Sequence, residues 1–155
     1  MKLYCDMNIY NRCFDDQSQL RIRLETAAIE GIFALAETER LTLVWSFMLG
    51  YENSLNPYEE RREGVELLSR LCTVTIVPSA EISRLADRII KSSAVKPRDA
   101  LHLACAETAA CDYFVTCDDA LIRGLQRGRR VPELKVKAIN PVEFMRSEGG
   151  QYGEG

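Results

Sequence analysis

A chain of 155 residues, 46% of them hydrophobic and 28% charged, has the size of one domain with a full apolar core, and it needs neither a disulfide nor a metal to stay folded. Its net charge of −3 and pI near 5.3 exclude the globally basic profile of many nucleic-acid-binding domains, so any such contact has to come from local charge. No segment approaches the ~20 apolar residues of a membrane span, and residues 1–13 lack the apolar run of about 7–15 residues of a secretory signal, so a cytoplasmic protein without a membrane partner is expected.

In chain order, residues 2–5 are short and apolar and stop at Asp6, which predicts a buried first strand. Residues 20–41 carry Leu20, Ile22, Leu24, Ala27, Ala28, Gly31, Ile32 and Leu35 at helical spacing, the pattern of an amphipathic helix. Residues 41–45 read as a second strand, and Ser46 is a candidate N-cap for a helix over 46–53. After the break at Asn56-Pro57, residues 59–71 return to helical spacing with a charged, solvated face. A third strand is expected over 73–77, ended by Pro78, and Ser79 caps a helix over 81–91.

Beyond Lys96-Pro97-Arg98, the alanine-rich segment 99–110 predicts a helix with much of its surface buried. A fourth strand over 113–116 runs into Cys117-Asp118-Asp119 and a short helix over 120–126. Residues 134–138 form the fifth strand, and Asn140-Pro141 starts a last turn of helix. The composition of GGQYGEG points to a flexible tail at 148–155 after a single domain at 1–147. The six cysteines (Cys5, Cys13, Cys72, Cys105, Cys111, Cys117) include no C-x-x-C pair and no common zinc spacing, so reduced thiols packed mostly as small core residues are expected.

Strands alternating with helices give an α/β fold around a mostly parallel five-stranded sheet flanked by helices. In open sheets of this kind ligands bind outside the carboxyl ends of the strands, at the topological switch. Asp6 and Asp118 follow predicted strands, Asp99 opens a helix and Glu52 follows the second strand. Each has an ordinary alternative, as a turn residue, a helix cap or a surface acid. Gathered in one cleft, four carboxylates repel one another, and burial raises their pKa values. Such a cluster suits a hard divalent cation with oxygen ligands, Mg²⁺ or Mn²⁺. The lone His102, three residues after Asp99 and on the same helix face, reads as a packed residue at the rim in preference to a general base.

Three segments carry a resemblance to a known family: L-Y-C-D-M-N-I-Y with Asp6-x-Asn8, R-D-A-L-H-L-A-C-A from Arg98, and D-Y-F-V-T-C-D-D-A-L-I with Thr116-x-Asp118. With the ending K-A-I-N-P-V-E-F, the chain resembles the PIN domains, and more narrowly the VapC-type ribonuclease toxins, over residues 1 to about 145. The resemblance implies a PIN-like fold in which Asp6, Glu52, Asp99 and Asp118 are the catalytic metal ligands. Asn8 and Thr116 would orient them by hydrogen bonds, and Asp119 stands as an extra acid, a substitute for Asp118 or a cap. Glu52 has the least motif around it, and Asp118 is favoured over Asp119 by the T-x-D spacing. Arg98, Arg123, Arg127, Arg129 and Arg130 are candidates for holding RNA phosphates or an acidic partner segment.

The implied activity is a Mg²⁺- or Mn²⁺-dependent endoribonuclease acting on a structured RNA such as transfer RNA, as a homodimer neutralised by a small antitoxin. The alternative is a catalytically silent PIN-like module that binds RNA or protein. A receiver-type phosphoacceptor fits poorly, because it needs an acid pair after strand one and an Asp after strand three, where this chain has Val77-Pro78.

Overall fold

The computed structural model describes residues 1–127 and 134–152, Arg127 by its backbone alone. Five strands, β1 (Lys2–Cys5), β2 (Thr42–Ser46), β3 (Cys72–Ile76), β4 (Tyr113–Val115) and β5 (Lys137–Ile139), form one sheet in the order β3-β2-β1-β4-β5. All four pairings are parallel, and parallel strands need crossovers. Among the described residues, seven helices lie in them, α1 (Met7–Asn11), α2 (Leu20–Glu37), α3 (Phe47–Ser54), α4 (Glu59–Ser69), α5 (Ala80–Ser92), α6 (Pro97–Thr108) and α7 (Asp119–Arg127), and α8 (Pro141–Glu148) follows β5. The expected α/β architecture is therefore present, with a sheet that is wholly parallel. None of these helices is long and apolar enough to cross a membrane.

β1 lies at the centre of the sheet, paired on both sides by β2 and β4. Leu3, Tyr4 and Cys5 are fully buried, and the Tyr4 ring stacks on Phe114 of β4 at 5.4 Å. The chain steps outward from β1 to β2 and β3 on one side and to β4 and β5 on the other, so the topological switch falls at the carboxyl end of β1, where Asp6 stands. On α5 the buried residues Ile82, Leu85, Ala86 and Ile89 make one stripe at helical spacing. On α6 the small side chains Ala100, Ala104 and Ala106 are buried together with His102, Leu103 and Cys105.

Several boundaries depart from the sequence reading. α2 ends at Glu37 because Glu39 takes a positive φ of 61° and the Arg40 amide turns back to the Leu35 carbonyl at 2.8 Å. This reverses the chain four residues earlier than the apolar pattern suggested. The buried face of α2 is also different. Leu20 and Leu24 are exposed, whereas Glu25, Thr26, Ile29, Ile32 and Ala36 are buried. Glu25 turns inward because Arg12 (3.3 Å), Arg21 (3.5 Å) and the Asn140 amide (2.7 Å) meet its carboxylate there.

α1 and the 3-10 turn Arg12–Phe14 were not anticipated, being too short to show a period. β5 begins three residues later than expected, and α8 runs well beyond a single turn, with Asn140 capping it through the Val142 amide at 2.8 Å. The chain continues as a 3-10 turn, Gly149–Tyr152, whose tyrosine ring lies 5.5 Å from the Arg40 guanidinium carbon. The segment expected as a tail falls partly on this turn and partly outside the described residues. The cysteines are all free thiols; Cys5, Cys105, Cys111 and Cys117 are buried, and Cys13 is exposed. Burial pushes the Cys105, Cys111 and Cys117 thiols up to about 12, which keeps them protonated as small apolar groups.

Candidate active site

At the end of β1 the strand stops because Asp6 caps the helix that follows. Its Oδ1 accepts from the Met7 amide at 2.8 Å, a β-region N-cap that satisfies the first turn of α1. Its Oδ2 accepts from the Thr116 hydroxyl at 2.8 Å and from the Asn8 amide nitrogen at 3.2 Å. Thr116 is fully buried, and its Oγ1 in turn accepts from Asn8 Nδ2 (3.1 Å) and from the Asp118 backbone amide (3.1 Å). Asn8 Oδ1 takes the Cys117 amide at 3.0 Å. Two motifs far apart in the chain, Asp6-x-Asn8 and Thr116-x-Asp118, are thereby tied into one hydrogen-bonded unit across the β1–β4 pairing.

Asp118 is exposed and caps α7, accepting from the Leu121 amide at 3.1 Å. Asp119 does not cap. It leaves the cluster for a salt bridge with Arg21 at 2.7 Å, and Arg21 also donates to the Cys117 carbonyl at 3.2 Å. The Arg21 hydrogen bond holds the Asp119 carboxyl below its ordinary range. Of the two adjacent acids, Asp118 is thus the one joined to Thr116 and Asp6.

Asp99 sits half-buried in the first turn of α6, where the helix dipole favours a carboxylate. Its carboxyl is nevertheless raised, first by burial and then by Asp118, with Glu52 adding to the effect while His102 and Lys96 oppose it. Burial raises the Asp6 carboxyl too; His102, the Thr116 hydroxyl and the Met7 amide pull it back, and Asp99 pushes it up. Glu52 lies on α3 and reaches the same edge, where its Oε1 accepts from His102 Nε2. Asp99 is near enough to act with each of the other three acids, Asp6, Glu52 and Asp118.

Among the described residues, none of the four is ion-paired with Lys or Arg, Lys96 acting on Asp99 only at longer range. Among the described residues, no three His, Cys, Asp or Glu side chains gather closely enough to form a ready-made metal site. The donor set is all carboxylate oxygen with a net negative charge, which fits a hard divalent cation.

The arginines are more dispersed. Arg98 and Arg123 are exposed, Arg123 near enough to act on Asp119. Arg127 ends α7, and Arg129 and Arg130 lie outside the described residues. The sequence reading put His102 at the rim, but it is buried; Ser46 was expected only as a helix cap, and Tyr4 and Arg21 were not singled out at all. The one available signal was parity: Tyr4 is two residues before Asp6 along an extended strand, hence on the same side of the sheet.

Comparison with known proteins agrees with this fold. No match is found among curated protein sequences. The fold is similar to that in a solved structure of VapBC2 from Rickettsia felis bound to a DNA fragment from its promoter, with a TM-score of 0.56 at 15% identity, over 90% of this chain and 99% of that one. It is also similar to that in a structure of FitAB bound to an IR36 DNA fragment, with a TM-score of 0.52 at 13% identity, over 90% and 95% of the two chains. The family model of the PIN domain matches residues 4–124, a span that holds Asp6, Glu52, Asp99, Asp118 and Asp119, and the chain therefore belongs to the PIN domain family.

Proposed function

We propose that this protein is a Mg²⁺- or Mn²⁺-dependent endoribonuclease, the toxin of a toxin–antitoxin pair. The observation that carries the reading is the Asp6–Thr116–Asp118 unit at the topological switch, with Asp99 acting on it, Glu52 acting on Asp99, and no Lys or Arg among the described residues ion-paired to any of the four carboxylates. PIN domains are generally nucleases. The likeness of the three motifs to VapC-type toxins supports RNA as the substrate, with transfer RNA as the structured target, a homodimer as the assembly and a small antitoxin as the partner.

Asp6, Glu52, Asp99 and Asp118 would hold the cation. When bound, a divalent ion of this kind acidifies a water and neutralises charge on the phosphoryl oxygens and the departing 3′ oxygen. The protein's own residues do the rest. Thr116 and Asn8 donate to Asp6 Oδ2 and the Met7 amide to Oδ1, so the carboxylate is oriented before any ligand arrives. The Asp118 cap on α7 fixes one of its oxygens and leaves the other for a ligand. Arg98 and Arg123, both exposed, would grip RNA phosphates together with Arg127, Arg129 and Arg130.

Purified protein incubated with mixed RNA should cleave it in Mg²⁺ or Mn²⁺ and not in EDTA. The Asp6→Asn variant should fall to the EDTA level. Equal cleavage by the variant would remove the proposed site, and RNA binding with no cleavage under any condition would favour the silent binding module.

A further inference from the structure

Of the four carboxylates, Glu52 is the one that does not stand at the start of a helix. Asp6 and Asp118 cap helices and share Thr116, whereas Glu52 projects from the sixth position of α3, and His102 is the only described partner of its Oε1. His102 is 1% exposed, and its Nδ1 lies 2.6 Å from the Tyr4 hydroxyl. That hydroxyl lies 2.5 Å from Ser46 Oγ, which accepts from the Leu49 amide as the N-cap of α3. Tyr4 and Ser46 are both fully buried.

The donors can be assigned in one direction. A carboxylate only accepts, so Nε2 of His102 carries the hydrogen toward Glu52. Nδ1 can then accept from the Tyr4 hydroxyl, whose oxygen accepts from Ser46. Burial raises the Tyr4 phenol well above its ordinary range, so it stays a donor. The chain Ser46→Tyr4→His102→Glu52 starts at the cap of α3 and returns to the same helix one and a half turns later, through β1 and α6.

We infer that His102, held by Tyr4 and Ser46, is a positioning residue that fixes the Glu52 carboxylate for cation binding; this rests on the metal-dependent reading above. α6 thereby sets two of the four acids, Asp99 directly and Glu52 through the imidazole one turn along. The spacing of these two acids is then fixed by one rigid helix. A buried histidine that merely satisfied its own polar atoms would have no need to meet a carboxylate at the site, since the Tyr4 hydroxyl already serves one nitrogen and a backbone carbonyl could serve the other.

Two amide substitutions separate this role from simple packing. Gln at 102 places its amide near Nε2 and keeps a donor to Glu52. Asn places its amide near Nδ1, keeps the Tyr4 contact and cannot reach Glu52. Mn²⁺ affinity is read from loss of the free-ion electron paramagnetic resonance signal, with thermal melts in EDTA on each full-length variant. His102→Gln should bind Mn²⁺ within a small factor of the wild type, and His102→Asn about tenfold or more weaker, with the two melting alike. Equal affinity of both variants with the wild type would overturn the inference. So would equal losses in both, which would mean that the core and not the Glu52 hydrogen bond sets affinity. Should the Asn variant fail to melt cooperatively, Tyr4→Phe takes its place: weaker Mn²⁺ binding is expected, and unchanged binding overturns the inference. A wild type that leaves the Mn²⁺ signal intact removes the metal reading itself, and this inference with it.

Discussion

Removing the Thr116 hydroxyl should disconnect the site and destabilise the metal-free fold together. Thr116→Val is nearly isosteric, so the core volume is kept. The substitution removes the 2.8 Å bond to Asp6, about 1.5–3 kcal/mol for a bond to a charged acceptor. It also leaves the Asp118 amide, 3.1 Å from the hydroxyl, without its acceptor, worth about 1 kcal/mol. Asn8 Nδ2 loses little, because it keeps Asp6 Oδ2 at 3.2 Å. The total is about 3 kcal/mol, or roughly 6–12 °C in melting temperature for a chain of this size. Thr116→Ser keeps every bond and removes one buried methyl, about 1 kcal/mol. Thermal melts in EDTA at pH 7 compare the two. The bond favours the ionised form of Asp6, so the gap between Val and wild type should be full above the Asp6 pKa and shrink as pH falls through it. A Val variant that melts with the Ser variant would refute the claim that this hydroxyl joins the two motifs.

Asp119→Asn should lose only the partly exposed pair with Arg21, under about 1 kcal/mol, and keep Mn²⁺ binding and cleavage, while Asp118→Asn loses both; the opposite order in a cleavage assay would make Asp119 the ligand. Asp99→Asn should stabilise the metal-free protein. Its folded carboxyl is raised above 3.8, so the cost of ionising it is absent below the unfolded value and grows as pH rises through the folded one. Because Asp99 is only half-buried, the gain at pH 7 is under about 1 kcal/mol, a rise of no more than roughly 2–4 °C. Added Mn²⁺ should reverse the order by stabilising the wild type alone; a variant that melts below the wild type in EDTA at pH 7 would count against charge repulsion at the site. Gly64→Ala should cost about 1–3 kcal/mol in urea unfolding, since its Cβ would lie 2.5 Å from Phe14 Cζ beneath the Arg61 guanidinium.

By itself the sequence determined the periodic elements and the acids that end them. The β1 run stops at Asp6, Ser46 and Ser79 cap the helices they were expected to cap, and strands alternate with helices in the order found, because apolar period and side-chain caps are local properties. It also fixed which motifs resemble the PIN family, which is why Asp6, Asp99 and Asp118 could be named before any geometry. What local pattern could not reach was decided by contacts between distant segments. Glu25 is buried because Arg12, Arg21 and Asn140 converge on it, although its own helix reads as if Leu20 and Leu24 faced inward. Asp119 is drawn away from Asp118 by an arginine 98 positions earlier in the chain. Glu52 gains its anchor from His102, 50 positions away. A charge is placed by whichever partner offsets its desolvation, and that partner is known only once the sheet has brought β1, β2 and β4 side by side.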